Sequence, residues 1–119
     1  VLGTRYLMEG PVYQLKLEAL DIASETPSDS DKKEINRIIF DELVNGSFND
    51  TSRRFMQEVI DVLKRRGCDG VILGCTEIPL LIEQQDSVLP VLDSTRLLAR
   101  AALLTAMKKG SLSKINKRK

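Results

Sequence analysis

The sequence has 119 residues, 42% of them hydrophobic and 29% charged, with a formal net charge of +1. That length supports one domain around one core, and the near-neutral balance gives no electrostatic reason to expect nucleic acid as the partner. No apolar run approaches the ~20 residues a membrane-spanning helix needs, no signal peptide is visible, and two cysteines with no histidine leave no zinc pattern, so a cytoplasmic, reduced protein is expected.

The chain begins with Val1, not Met, which suggests a fragment or a processed product. Val1-Leu2-Gly3-Thr4 reads as the end of a buried strand. Helical character is expected from about Met8, with Pro11 tolerated in a first turn. Asp21-Ile22-Ala23 is a candidate short strand, and Thr26 to Ser30, with Pro27, a turn-rich break. Asp31 followed by Glu34 resembles a capping box, and Ile35, Ile38, Ile39 and Leu43 then fall on one helical face. The Asp29-Ser30-Asp31 cluster lacks the ligand spacing of a calcium loop and reads as a helix start. Gly46 ends that helix. Asn49 or Asp50 opens another, with Phe55, Val59, Val62 and Leu63 as its apolar stripe, basic residues in the last turn and Gly67 just past the end.

Gly70-Val71-Ile72-Leu73-Gly74 is a short apolar run between glycines, the pattern of a strand buried on both faces of a parallel sheet. Ile78, Leu81 and Ile82 suggest a short helix. Val88 to Leu92 reads as a further strand, with Pro90 near an edge or a strand start. Leu97, Leu98, Ala101, Leu104 and Thr105 mark a final helix. Alternation of this kind predicts an α/β fold, a three-layer lobe with a small, mostly parallel sheet of about four strands and helices on both faces.

Chemistry concentrates after the glycine-bounded strand, in Gly74-Cys75-Thr76-Glu77. In open α/β sheets ligands bind outside the carboxyl ends of strands, and Cys75 stands there. Thr76 is a candidate N-cap. The amides of the following turn would face an anion and are expected to lower the Cys75 thiol pKa below its ordinary ~8.5. The bland alternative is a buried structural cysteine, the commoner role for a free thiol.

The stretch Gly74-Cys75-Thr76-Glu77 behind an apolar strand resembles the second cysteine signature of the aspartate/glutamate racemase family. Leu2 to Glu9 resembles the motif that opens the second lobe of that family, Ile35 to Leu43 its middle helix, and Leu89 to Thr95 its returning strand and turn. The resemblance runs from about Gly3 to about Leu104. It implies a cofactor-independent amino-acid racemase, with no pyridoxal phosphate and no metal, built from two similar lobes with a thiol from each flanking the substrate. One thiolate removes the α-proton and a thiol on the opposite face returns one. On that reading this chain is the carboxy-terminal half. Cys75 is the second-lobe thiol, Thr76 and its neighbouring amides contact the substrate carboxylate, Thr4 faces the cleft, and Glu77 points to the aspartate branch.

Further expectations follow from the same resemblance. Residues 1–93 form the second lobe, 94–109 a helix that packs on a missing first lobe, and 110–119 a basic, disordered tail. The partners are an aspartate- or glutamate-like substrate, the missing lobe and further copies of the chain as a homo-oligomer. The isolated chain is expected to be inactive. Cys68 stands seven residues before Cys75, roughly 20 Å away along a strand, too far to share one carbon; it reads as structural. Arg5 reads as a surface residue. Many members of the family carry threonine where Leu7 stands and histidine near Leu98. Two other functions compete: a non-catalytic carboxylate-binding or assembly module, and a related thiol isomerase such as a maleate isomerase or hydantoin racemase.

Overall fold

A parallel pair of three-residue strands forms the sheet, β1 (Val71–Leu73) and β2 (Val91–Asp93), with Val71 opposite Val91 and Leu73 opposite Asp93. Leu2 adds a single parallel bridge on the other side of β1. Its N–H donates to the Ile72 carbonyl at 2.8 Å, and the Gly74 N–H donates to the Leu2 carbonyl at 2.6 Å. The structure, a computed structural model, describes residues 1–117, with the side chains of residues 1–109.

Six helices surround these strands: α1 (Arg5–Glu9), α2 (Val12–Glu18), α3 (Asp29–Asp41), α4 (Asp50–Arg65), α5 (Ile78–Leu81) and α6 (Ser94–Lys117), with 3-10 turns at Leu43–Asn45 and Gln84–Asp86. The α/β class and the parallel sheet are as the alternation of elements predicts. The expected four strands are not found among the described residues. Leu2 contributes one bridge residue instead of a strand, and Asp21-Ile22-Ala23 carries no ladder.

The reason at Asp21 is local. Asp21 adopts φ 57°, a left-handed conformation that aspartate tolerates better than most residues. Its N–H donates to the Glu18 carbonyl at 3.0 Å, and the Ile22 N–H reaches back to the Leu17 carbonyl at 2.9 Å. That pair of bonds is a Schellman motif, so the segment closes helix α2 and does not extend a sheet. The same device ends the Leu43–Asn45 turn at Gly46 (φ 78°) and α4 at Gly67 (φ 98°). Both glycines stand where the sequence placed helix ends.

The core collects Leu2, Ile35, Ile38, Ile39 and Leu43 with Met56, Val59, Ile60 and Leu63 of α4, Val71 and Leu73 of β1, and Ile78, Leu81 and Ile82. The predicted face of α3 is therefore the buried one. The buried stripe of α4 is turned from the predicted one: Met56 and Ile60 are fully covered, while Phe55 and Val62 are half-buried. The start of α3 also differs. Ser28 is its N-cap, accepting from the Asp31 N–H at 3.3 Å, so the cap stands three residues earlier than the Asp31–Glu34 reading and Asp31 is a first-turn acid.

The final helix, expected over residues 94–109, is described as helical backbone from Ser94 to Lys117. Gly110 interrupts the sequence there, but a helix-interior glycine costs only about 1 kcal/mol. The last two positions of the expected tail, 118–119, lie outside the described residues.

Candidate active site

Because all the strands are parallel, their carboxyl ends converge on one edge of the sheet. Three segments leave it: Gly3-Thr4, Gly74-Cys75-Thr76-Glu77 and Asp93-Ser94-Thr95. Thus Thr4 and Cys75, distant in sequence, exit from neighbouring positions in the sheet, with Asp93 on the far side.

Cys75 is a free, half-buried thiol that packs against the core. Its Sγ accepts a hydrogen bond from the Ile78 N–H at 3.3 Å. The sulfur therefore holds the start of α5, the place where Thr76 was expected to act. Thr76 itself is exposed and makes no cap; the N-cap position of α5 is Glu77, with no side-chain cap bond. Helix α5 has only four residues, so its dipole is small and its field on the sulfur is that of individual amides.

Burial pushes the Cys75 thiol above its ordinary value. The Ile78 and Glu77 amides pull it down, but by less, and the Glu77 carboxylate beside it pushes up again. The expected lowering is not found, because removing the sulfur from water penalises the thiolate more than two amide dipoles favour it.

Thr4 is the N-cap of α1, its Oγ1 accepting from the Leu7 N–H at 3.3 Å. The next amide, Arg5 N–H, donates to Asn36 Oδ1 of α3 at 2.8 Å. Asn36 thus ties the strand exit to the middle helix, a role that no local sequence signal announces across 31 residues. Arg5 is exposed and pairs with Glu9 on the surface, as its surface reading has it. Glu77 is half-buried next to the thiol. On the far side, Asp93 Oδ1 accepts from the Thr95 and Arg96 N–H groups at 3.0 and 3.3 Å and caps α6. An aspartate directly before an apolar helical repeat is a capping signal readable in the sequence.

A concavity of about 640 Å³ opens beside these exits, lined by Thr76, Asp93, Thr95, Arg96 and the apolar Leu80 and Leu97, among others. Cys75 is not in its lining; it is half-buried at the same turn and packs against the core. Cys68 is half-buried at the opposite end of β1. It follows the left-handed Gly67, and its N–H donates to the Leu63 carbonyl at 3.1 Å. This is the position after a Schellman turn where a small apolar side chain packs back on the helix.

Leu7 lies over both glycines at these exits. A Cβ built on Gly3 or on Gly74 would overlap Leu7 Cδ2, and at Gly74 it would also lie 3.1 Å from the Leu2 carbonyl oxygen. Glycine at both positions is what lets the α1 side chain lie flat on two adjacent strand ends.

Comparison with known proteins places this arrangement. A sequence model described as Asp/Glu/hydantoin racemase matches residues 1–102. The crystal structure of a candidate Asp/Glu racemase from Yersinia pestis superposes with a TM-score of 0.84 at 45% identity, covering 89% of this chain and 46% of that one. An aspartate racemase homologue from Pyrococcus horikoshii OT3 gives 0.81 at 36% identity, with the same coverage of 89% and 46%. An uncharacterized protein of the pnlA 3′ region of Pectobacterium carotovorum subsp. carotovorum is 30% identical over 88 residues, 71% of this chain and 55% of its own length. The chain therefore spans about half the length of these relatives.

Proposed function

The chain belongs to the Asp/Glu/hydantoin racemase family, and from that premise we propose that it is the carboxy-terminal half of an amino-acid racemase in which Cys75 serves one face of the substrate α-carbon. The observation that carries the reading is Cys75 at the carboxyl end of the central strand, its Sγ held by the Ile78 N–H at 3.3 Å. On this proposal residues 1–93 are the catalytic lobe, α6 packs on the other half, and the setting is cytoplasmic.

Burial raises the Cys75 thiol above its ordinary value, and on this proposal Cys75 acts as the protonated partner. A base from the other half takes the α-proton, and the electron pair left on the carbon delocalises into the substrate carboxylate. Cys75 S–H then delivers its proton to the opposite face and is left as thiolate. The centre has inverted, and the reverse reaction restores both groups. The Ile78 and Glu77 amides stabilise the thiolate when it forms, in a geometry that exists beforehand. Thr76 and the exposed concavity beside it would hold the substrate carboxylate.

The test is α-proton exchange in heavy water. The 119-residue chain alone shows none with aspartate or other amino acids. A chimera in which residues 1–102 replace the matching half of the Yersinia pestis protein exchanges the α-proton, loses at least ~100-fold in Cys75→Ser, and keeps activity in Cys68→Ser. A folded chimera that binds amino acids without exchange favours the non-catalytic binding module. Exchange by the isolated chain that depends on Cys75 would overturn the need for a second half.

A further inference from the structure

Helix α1 has five residues, Arg5–Glu9, a length at which a helix is not stable by itself. Met8 anchors it to the core. Its first turn is fastened twice. Thr4 Oγ1 accepts from the Leu7 N–H at 3.3 Å, a bond internal to the turn. Asn36 Oδ1 accepts from the Arg5 N–H at 2.8 Å, and it comes from the middle of α3. Among the described residues no other hydrogen bond joins α1 to a different element. Asparagine is a poor residue for a helix interior, and here its acceptor serves a neighbouring element.

What α1 does at the sheet edge runs through Leu7. Its Cδ2 lies over Gly3 and Gly74, where no Cβ pushes it off. Gly74 donates its N–H to the Leu2 carbonyl at 2.6 Å and is the residue before Cys75. Helix α1 therefore lies across two neighbouring strand ends, one of which carries the thiol. Asn36 reaches it from a helix whose Ile35, Ile38 and Ile39 are buried, and such a helix does not shift without opening the close-packed core. A helix fixed in the core thus holds a short one over the turn that bears Cys75.

We propose that Asn36 is a positioning residue: by holding the Arg5 amide it keeps α1 and Leu7 down on the Gly3 and Gly74 exits, and so sets the place and the exposure of Cys75. Its effect on catalysis rests on the racemase reading, in which the sulfur must stand close to the α-carbon. There a displacement of about 1 Å costs on the order of a hundredfold in rate. The tie itself, from Asn36 through Arg5 and Leu7 to Gly74, does not depend on that reading.

Two measurements separate the tie from the chemistry. Every contact of the tie lies within the 119 residues, so the chain itself, as Cys68→Ser, serves for alkylation of Cys75 by iodoacetamide at fixed pH. Asn36→Leu, close to asparagine in outline but without an acceptor, is expected to speed alkylation at least about threefold, while Asn36→Asp, which keeps an oxygen in place, holds it within about twofold. Asn36→Ala takes the place of the leucine variant should circular dichroism show that one unfolded. The chimera with the Yersinia pestis half then carries the same substitutions. In Asn36→Leu the kcat for α-proton exchange falls at least about tenfold with KM changed less than about threefold, and Asn36→Asp recovers it. Unchanged alkylation in a folded variant without the acceptor, or an equal rise in Asn36→Asp, overturns the tie. A raised KM with kcat intact makes Asn36 a binding group and overturns its positioning role. Faster alkylation in Asn36→Leu beside an unsubstituted chimera that exchanges no α-proton upholds the tie and overturns the racemase reading instead.

Discussion

The sulfur of Cys75 is governed by two opposed effects, and their balance is measurable. Burial, helped by the Glu77 carboxylate, keeps the proton on; the amides of Ile78 and Glu77 work to remove it. In Cys68→Ser, the pH profile of Cys75 alkylation should therefore have its midpoint above the ordinary ~8.5 of a free thiol. Glu77→Gln removes one of the contributions that raise it, so the midpoint moves down and the rate at pH 7 rises. A wild-type midpoint below that of a free thiol would show that the amides win, and Cys75 would then be the resting base. The position of Cys75 was legible, because a glycine-bounded apolar run followed by Cys-Thr-Glu is a local pattern. The sign of its shift was not, because the water lost from around a side chain depends on what packs over it from elsewhere in the chain. Thr76 illustrates the same limit. Its place in the motif suited a cap, but the backbone turn handed that bond to the sulfur one residue earlier.

Among the helices, the joint between α3 and α4 is fastened by one acid. Glu42 Oε1 accepts from Ser52 Oγ at 2.6 Å and from the Asn49 side-chain amide, and Oε2 accepts from Arg37 Nη2 at 3.0 Å. These bonds, Ser52 first, hold the Glu42 carboxyl below its ordinary value against the opposing effect of burial. Ser52 is itself buried, 5% exposed. Ser52→Ala should cost about 1–2 kcal/mol in urea unfolding at pH 7. The folded pKa of Glu42 is depressed, so its contribution is present above the unfolded carboxylate pKa and is lost as pH falls through the folded value. The difference between Ser52→Ala and wild type should therefore shrink in acid; a difference that stays constant to pH 3 would remove Glu42 from the account. None of this joint could be read along the chain, since its partners come from two helices and the turn between them. What could be read were periodicities. Ile35, Ile38 and Ile39 repeat at helical spacing and are all buried. In α4 the apolar residues spread around too much of the circumference, from Phe55 and Met56 to Val62 and Leu63, for the pattern to say which third meets the core. The docking against α3 decided it. The strands were overcounted for a related reason: at three residues each they carry little pattern, and a Schellman turn at Asp21 converts a strand-like triplet into a helix end.

At the scale of the molecule, the body and its last helix are unequal partners. The molecule measures 60 × 34 × 26 Å, and α6 with its 24 residues is roughly 36 Å long. Its start meets β2, but Leu97, Leu98, Leu103, Leu104 and Met107 along it are all exposed, Leu98 by 72%. A lone helix of this kind is marginal in water and gains most of its stability from packing an apolar face. The relatives are about twice as long as this chain, and on the proposed function their other half supplies that packing. Without it, copies of the chain should cover one another. Sedimentation velocity is expected to show concentration-dependent association, and Leu98→Glu with Leu104→Glu should weaken it by at least about tenfold, since burying each leucine contributes about 1.5–3 kcal/mol. Amide hydrogen exchange should follow the same logic, with protection across residues 97–107 appearing only as the chain associates, while Val59 to Leu63 of α4 stay protected at every concentration. A chain that sediments as a monomer at high concentration, with α6 protected as strongly as α4, would mean that the exposed leucines need no cover. The argument for a second half would then rest on the length of the relatives alone.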